Sequence, residues 1–159
     1  MQTHTWTCDT CGHTIEKIED GWVEWWIPAK KESGLGKGLR LVHNRSTCPY
    51  GPEGSCQYDE KSEMSDGGFC LQDHHVEKFL GDDGLMWLLS LLAEGDLPKE
   101  DVLEMIKRLH ITGYEHTRFH FDRAIKEAVI EPMTPPRYYC QDEINTVLKF
   151  IAQPQNGES

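Results

Sequence analysis

A Cys-x-x-Cys pair followed by glycine, in residues 8–13 (CDTCGH), is the sequence feature that most constrains how this chain can fold. This spacing presents two thiolates to one metal ion by a short chain path, and a tetrahedral ion then needs two further sulfur or nitrogen ligands. Gly12 allows the backbone to turn beneath the sulfurs, where amide groups can donate to thiolates. Cys8 and Cys11 therefore predict half of a metal site, and the other half must come from elsewhere in the chain.

Two alternating segments after this motif predict a β-hairpin that returns the chain to Cys8 and Cys11. Residues 21–27 (GWVEWWI) and 38–43 (GLRLVH) each alternate between two faces, and a polar, glycine-containing loop separates them. The second strand must end beside the start of the first, near the Cys-x-x-Cys motif. The residues near that end that can supply the missing ligands are His43, Cys48 and Cys56. Any two of them complete the site, and spacing alone leaves the choice open.

The stretch CDTCGHTI, residues 8–15, resembles the knuckle of zinc-ribbon proteins, and this resemblance covers about the first third of the chain. It implies a structural zinc ion whose closed tetrahedral shell holds a small β unit in shape. The knuckle occurs once, so the remaining ligands are expected from the three candidates above. The alternative is a thioredoxin-like redox pair, which needs a helix that opens at the motif. The segment HTIEKIEDGW is short and interrupted by glycine, which disfavours that alternative.

Composition and charge restrict the kind of partner and the compartment. The net charge of −11 disfavours binding of nucleic acid by the whole surface and suits a protein partner with a basic face. The longest apolar run, residues 84–93, is about half of what a bilayer crossing requires. The first residues lack the basic start and apolar run of a secretory signal, so we expect a cytoplasmic protein. In that compartment the six cysteines serve as metal ligands or buried thiols rather than as disulfides.

The periodicity of the chain changes from strand-like to helical near residue 73. We expect an α+β fold in which a zinc-binding, ribbon-like β-hairpin unit, residues 1–60, packs on a bundle of four to five helices, residues 73–152. A hinge is expected at residues 59–68. The segment 82–95 is apolar all round and should therefore lie centrally. The other predicted helices cover residues 73–81, 96–110, 112–130 and 141–152.

A cluster of cations near the tip of the predicted hairpin is an exception to the acidic balance. It consists of Lys30, Lys31, Lys37 and Arg40, next to Trp22, Trp25 and Trp26. Cations that flank aromatic rings are typical of surfaces that bind single-stranded nucleic acid, so a nucleic-acid-binding module is the first alternative function. The competing interpretation, which we favour, is a solvated loop whose charges protect the hairpin edge while the tryptophans lie in the core.

His116 and His120 lie four residues apart on the helix predicted for residues 112–130, a spacing that lets two imidazoles share a metal ion. A metal-dependent hydrolase that uses this pair is the second alternative function. The segment HTRFH has Thr117 where zinc proteases carry a general-base glutamate. Both histidines also lie opposite the apolar stripe of the predicted helix, so a solvated polar surface is the favoured interpretation.

The leading functional hypothesis is a small, non-enzymatic, zinc-stabilised binding or adaptor protein that acts through protein–protein contacts. It depends on a metal site that sulfur and nitrogen ligands can close, on a sequence without a recognisable catalytic constellation, and on many aromatic residues in a short acidic chain. The predicted ligands are four of Cys8, Cys11, His43, Cys48 and Cys56. No catalytic residue is assigned, and the hairpin-tip cations are the candidates for contact with nucleic acid or another partner.

Overall fold

The β-rich first part of the sequence folds into two small antiparallel sheets, and the later part is helical. The structure is a computed structural model that describes residues 4–45, 47–49, 56–61 and 68–154. The chain divides into two compact units, Met1–His110 and Ile111–Ser159. The predicted α+β class is confirmed.

The predicted hairpin is present in the first unit. Its strands are β3 and β4 of the five that the described residues form: β1 (Trp6–Thr7), β2 (Thr14–Ile15), β3 (Gly21–Pro28), β4 (Lys37–His43) and β5 (Phe69–His75). β1 pairs with β2, and the other three form a sheet in the order β4-β3-β5. Gly21 is paired with His43, so β4 ends beside the start of β3, as the alternation of the sequence predicts.

β5 replaces part of a predicted helix, so the helix predicted for residues 73–81 is wrong. The strand runs through His75, and only a 3-10 turn, Val76–Phe79, follows it. β5 pairs with β3 over its whole length, from Phe69 opposite Pro28 onward. Backbone hydrogen bonds to a distant strand therefore override the local helical pattern. The hinge predicted at residues 59–68 lies largely outside the described residues.

β3 is paired along both edges, and side chains from other segments cover both of its faces. On one face Trp25 packs edge-to-face on Phe79, with 6.1 Å between ring centroids. On the other face Trp26 contacts Tyr58 at 5.2 Å. The prediction that the hairpin tryptophans belong to the core is confirmed for Trp25 and Trp26, which are buried, while Trp22 is partly buried.

Two long helices, α1 (Gly81–Glu94) and α2 (Lys99–His110), complete the first unit. Gly95, at a left-handed φ of 71°, ends α1 as the sequence predicts. The prediction that α1 is buried on all sides is wrong. The helix packs on α2 and on the 3-10 turn through the side that carries Gly84 and Leu88, and its other side exposes Met86, Trp87 and Leu89.

The described part of the second unit forms three helices: α3 (Tyr114–Thr117), α4 (Phe121–Lys126) and α5 (Gln141–Ala152). α5 is confirmed with its predicted bounds, but the single helix predicted for residues 112–130 is interrupted between α3 and α4. Gly113, at a φ of 79°, precedes α3, and no side chain caps that helix. The helices are thus divided between the two units. Within the described residues every helix is too short or too polar to cross a bilayer.

Candidate metal centre

The Cys-x-x-Cys motif forms the tight turn between β1 and β2. The Cys8 amide donates to the His13 carbonyl at 2.9 Å, and the Gly12 amide donates to the Cys8 carbonyl at 2.9 Å. Gly12 has a left-handed φ of 74°, which an L-amino acid with a side chain adopts at a cost. This conformation agrees with the predicted role of the glycine. The turn places the Cys8 and Cys11 side chains on one small loop.

Four donor atoms from three separate chain segments converge next to this turn. They belong to Cys8, Cys11, His43 and Cys56, and all lie within 4.8 Å of one another. The His43 Nδ1 atom is 3.4 Å from the Cys11 Sγ atom and 3.9 Å from the Cys56 Sγ atom. A tetrahedral ion bound to sulfur at about 2.3 Å and to nitrogen at about 2.0 Å separates those two ligand atoms by about 3.5 Å. The spacing therefore suits a single ion.

The orientation of His43 is set by its other ring nitrogen. His43 is the last residue of β4, and its Nε2 atom lies 3.2 Å from the Thr14 carbonyl oxygen on β2. A carbonyl oxygen only accepts, so Nε2 carries the proton and donates. In the neutral ring Nδ1 then presents its lone pair to the sulfurs. A backbone carbonyl behind a histidine ligand is a common arrangement in protein metal sites.

The centre is largely shielded from water. Cys8 and Cys56 are each 1% exposed and His43 is 4% exposed, whereas Cys11 is partly exposed. Burial raises the pKa of the Cys11 and Cys56 thiols, since a buried thiolate loses its hydration. A divalent cation offsets that cost, because a thiol that binds a metal ion gives up its proton. The cluster is thus unfavourable for isolated thiolates and favourable for thiolates around a cation.

Cys48, the fifth predicted candidate, lies beside the cluster and is not a member of it. Its Sγ atom is 2.7 Å from the Sγ atom of Cys56. Two sulfurs bound to one tetrahedral ion would be about 3.8 Å apart. This distance places Cys48 against a ligand rather than at a fourth vertex. Among the candidates that spacing left open, the structure thus groups His43 and Cys56 with the Cys-x-x-Cys pair.

An ion pair that the sequence analysis missed holds the Cys-x-x-Cys turn in place. The Asp9 Oδ2 atom accepts from the Leu41 amide at 2.8 Å and from Arg108 Nη1 at 2.7 Å. Arg108 on α2 also donates through Nη2 to the Thr7 carbonyl at 3.0 Å. Arg108 is 5% exposed, so these bonds are protected from water. The only hint of this ion pair in the sequence is Asp9 itself, which lies inside the Cys-x-x-Cys motif. Nothing in the sequence identifies Arg108 as its partner.

A second buried charge holds the segment that contains Cys56. Glu24 on β3 is 0% exposed and accepts from the Tyr58 amide at 2.8 Å and from Arg40 Nη2 at 3.3 Å. Burial raises the pKa of Glu24, although the Tyr58 amide and Arg40 oppose that shift. Arg40 also donates to the Cys56 carbonyl at 3.2 Å, and Thr10 donates to the same oxygen at 2.7 Å. The feature of the sequence that could have indicated this buried charge is the single glutamate inside the otherwise apolar strand GWVEWWI.

The four cations of the predicted hairpin-tip cluster have different environments. Lys30 and Lys31 are exposed. Lys37 lies over the Phe69 ring at 4.4 Å. Arg40 is bound to Glu24 and stacks over the ring of Tyr58 at 3.4 Å, so its charge is already compensated inside the unit. For the nucleic-acid alternative, the exposed lysines stay available for contact with a ligand, whereas Arg40 does not.

The histidine pair proposed for hydrolysis does not lie on one helix. His116 is exposed on α3, whereas His120 is half-buried and precedes α4. The spacing of one helical turn therefore does not aim both imidazoles at one point. Within the described ranges, the cluster of Cys8, Cys11, His43 and Cys56 is the group of side chains arranged to hold an ion.

Comparison of the chain with protein-family models, curated proteins and solved structures found no match. The resemblance to zinc ribbons stays a prediction, and the function is inferred from the geometry of the metal centre.

Proposed function

We propose that this chain binds one zinc ion through Cys8, Cys11, His43 and Cys56 and acts as a zinc-stabilised binding protein. The observation that carries the proposal is the convergence of three sulfurs and one imidazole nitrogen within 4.8 Å. Thiolate and imidazole ligands in a compact tetrahedral set favour zinc over magnesium or calcium, which prefer oxygen.

The zinc ion is proposed to be structural rather than catalytic. Four protein ligands complete a tetrahedral shell and leave no position for water or a substrate. The burial of Cys8, His43 and Cys56 supports this role, because a catalytic ion must be reachable. The ion joins the β1–β2 turn, the end of β4 and the segment that contains Cys56, which are distant in sequence.

The binding activity is proposed to act through protein contacts. The net charge of −11 supports a partner with a basic face. The pairing of Arg40 with Glu24 supports the same conclusion, because it removes one positive charge that an acidic partner could have used. The binding test is capture of a basic protein partner by the zinc-loaded chain and by the chelated chain, at low and at high salt. Capture that depends on zinc and weakens with salt supports the proposal, and capture indifferent to both contradicts it.

The metal assignment is tested by elemental analysis and native mass spectrometry of purified chain. We expect one zinc ion per chain in the wild type and loss of that ion in the Cys56→Ser variant. Cys140→Ser is the matched control, because Cys140 is exposed and lies at the start of α5. A metal-free wild-type chain that is fully ordered at β1 and β2 would contradict the assignment.

A further inference from the structure

A thiol outside the ligand set touches one of the proposed ligands. The Cys48 and Cys56 Sγ atoms are 2.7 Å apart, and neither cysteine forms a disulfide in the structure. Cys48 is partly exposed, whereas Cys56 is 1% exposed and close to His43. The pair therefore combines a thiol that small oxidants can reach with a neighbouring sulfur that can react with it.

Hydrogen bonds fix the chain at both members of the pair. Next to Cys48, the Thr47 amide donates to the Asn44 carbonyl at 2.9 Å and forms a turn. Thr10 and Arg40 hold the carbonyl of Cys56. A disulfide bond is about 2.05 Å long, so the two sulfurs need to approach by well under 1 Å. The bond closes a short loop, whose ordering cost is small.

We infer that Cys48 and Cys56 form a redox modification site at which hydroperoxides generate a disulfide and release the metal ion. The inference rests on the proposed function, because release requires that Cys56 is a ligand. Once Cys56 is oxidised, the remaining donors are Cys8, Cys11 and His43. Three ligands hold the ion more weakly than four, and a disulfide sulfur does not replace a thiolate.

The reaction balances with hydrogen peroxide as the oxidant. The Cys48 sulfur attacks a peroxide oxygen; a sulfur–oxygen bond forms, the oxygen–oxygen bond breaks and one water molecule leaves. The Cys56 thiolate then attacks the Cys48 sulfenic sulfur; a sulfur–sulfur bond forms, the sulfur–oxygen bond breaks and hydroxide leaves, taking a proton from solvent. The two sulfurs lose two electrons in total, and the peroxide gains them.

The decisive experiment treats the zinc-loaded full chain with hydrogen peroxide. Released zinc is followed with a colorimetric chelator, and the disulfide is located by peptide mapping without reduction. We expect loss of the bound zinc together with a Cys48–Cys56 linkage and a mass decrease of two hydrogens. Subsequent reduction with dithiothreitol restores zinc binding. Zinc that stays bound while peroxide is consumed, or a linkage between other cysteines, overturns the inference.

Two variants separate this inference from the metal assignment. Cys48→Ser is expected to keep its zinc ion and to lose the peroxide-driven release, because the attacking thiol is missing. Cys140→Ser, which removes an exposed thiol of the second unit, is expected to release zinc as the wild type does. A Cys48→Ser chain that is purified without zinc would identify Cys48 as a ligand and overturn the inference. A wild-type chain without zinc would instead refute the proposed function itself.

Should Cys48→Ser fail to fold, the wild-type peptide map still decides, and Cys48→Ala gives a second test of zinc retention. A folded Cys48→Ala chain that releases zinc to peroxide at the wild-type rate overturns the inference, since the sulfur that is proposed to react first with peroxide is then missing.

Discussion

The two units of this chain differ in what accompanies their apolar cores. In the first unit, a sulfur and imidazole cluster and the buried charges Arg108 and Glu24 lie beside an apolar core that includes Trp6 of β1 and Ile15 of β2. The second unit depends on apolar contact: Phe121 packs between Tyr114 and Tyr139, with ring centroids 5.9 Å and 4.1 Å apart. We expect the first arrangement to respond to chelators and oxidants, because a metal ion is proposed there, and the second to respond to side-chain volume.

The difference follows from the length of the strands near the metal centre. β1 and β2 are two residues long each, and such a short ladder does not hold itself together in water. The second unit has α5, a helix of twelve residues whose buried positions Ile144 and Val147 complete an apolar core. A bound ion is therefore expected to be decisive at one end of the chain only.

Metal removal is the largest expected effect and tests the comparison directly. Structural zinc supplies free energy on the order of 10 kcal/mol to small domains, so chelation should unfold β1, β2 and the segment at Cys56. Hydrogen exchange with mass spectrometry should show lost protection there and unchanged protection in α5. Equal loss in both units would show that the distinction between them is wrong.

Removal of the buried carboxylate is the next largest expected effect. Glu24→Ala leaves Arg40 without its counter-charge and the Tyr58 amide without an acceptor, which should cost about 3 to 5 kcal/mol. Denaturant unfolding followed by tryptophan fluorescence measures this loss, because all five tryptophans belong to the first unit.

Glu127→Ala is the matched control for that variant. Glu127 lies 3.6 Å from Arg123 in the second unit, and its side chain is 51% exposed. We expect this variant to lose about 0.3 kcal/mol of unfolding free energy, measured by far-ultraviolet circular dichroism. Similar losses in both variants would contradict the distinction between buried and exposed charge.

A substitution that creates a cavity in the second unit tests whether that unit depends on apolar packing. Ile144→Ala removes part of a fully buried side chain on α5 and should cost about 3 kcal/mol. Circular dichroism should report the loss, while zinc content and tryptophan fluorescence stay as in the wild type. A variant that lost zinc would show that the metal centre depends on the second unit.

The smallest expected effect is a dependence of stability on pH through Glu24. Its pKa is raised in the folded chain by burial, so the folded state holds this proton more tightly than the unfolded state. Its contribution is therefore largest below the ordinary pKa of a glutamate and is lost as the pH rises through the raised value. The wild type should lose stability relative to Glu24→Gln over that window, and both chains share the same metal centre. Parallel unfolding curves at all pH values would contradict this assignment.

Much of the secondary structure was predictable because its pattern is local. The alternation in 21–27 and 38–43 predicted β3 and β4, and helical spacing predicted α1, α2 and α5. β5 was not predictable in this way, since FCLQDHH shows no clear alternation and becomes a strand by pairing with β3. The break between α3 and α4 also escaped prediction; there Thr117 bonds back to the Gly113 carbonyl at 3.0 Å and the helix stops.

The sequence by itself determined that Cys8 and Cys11 face a common point. Only three peptide bonds separate the two cysteines, and Gly12 directly after them lets the chain turn tightly, so few other backbone paths are open. Only the tertiary structure decided which partners join them. Pairing of Gly21 with His43 carries the imidazole to the turn. The Glu24–Arg40 pair positions Cys56 within the cluster and leaves Cys48 beside it. The contacts that bring in His43 and Cys56 join residues more than ten positions apart, and their geometry depends on packing that no local pattern encodes.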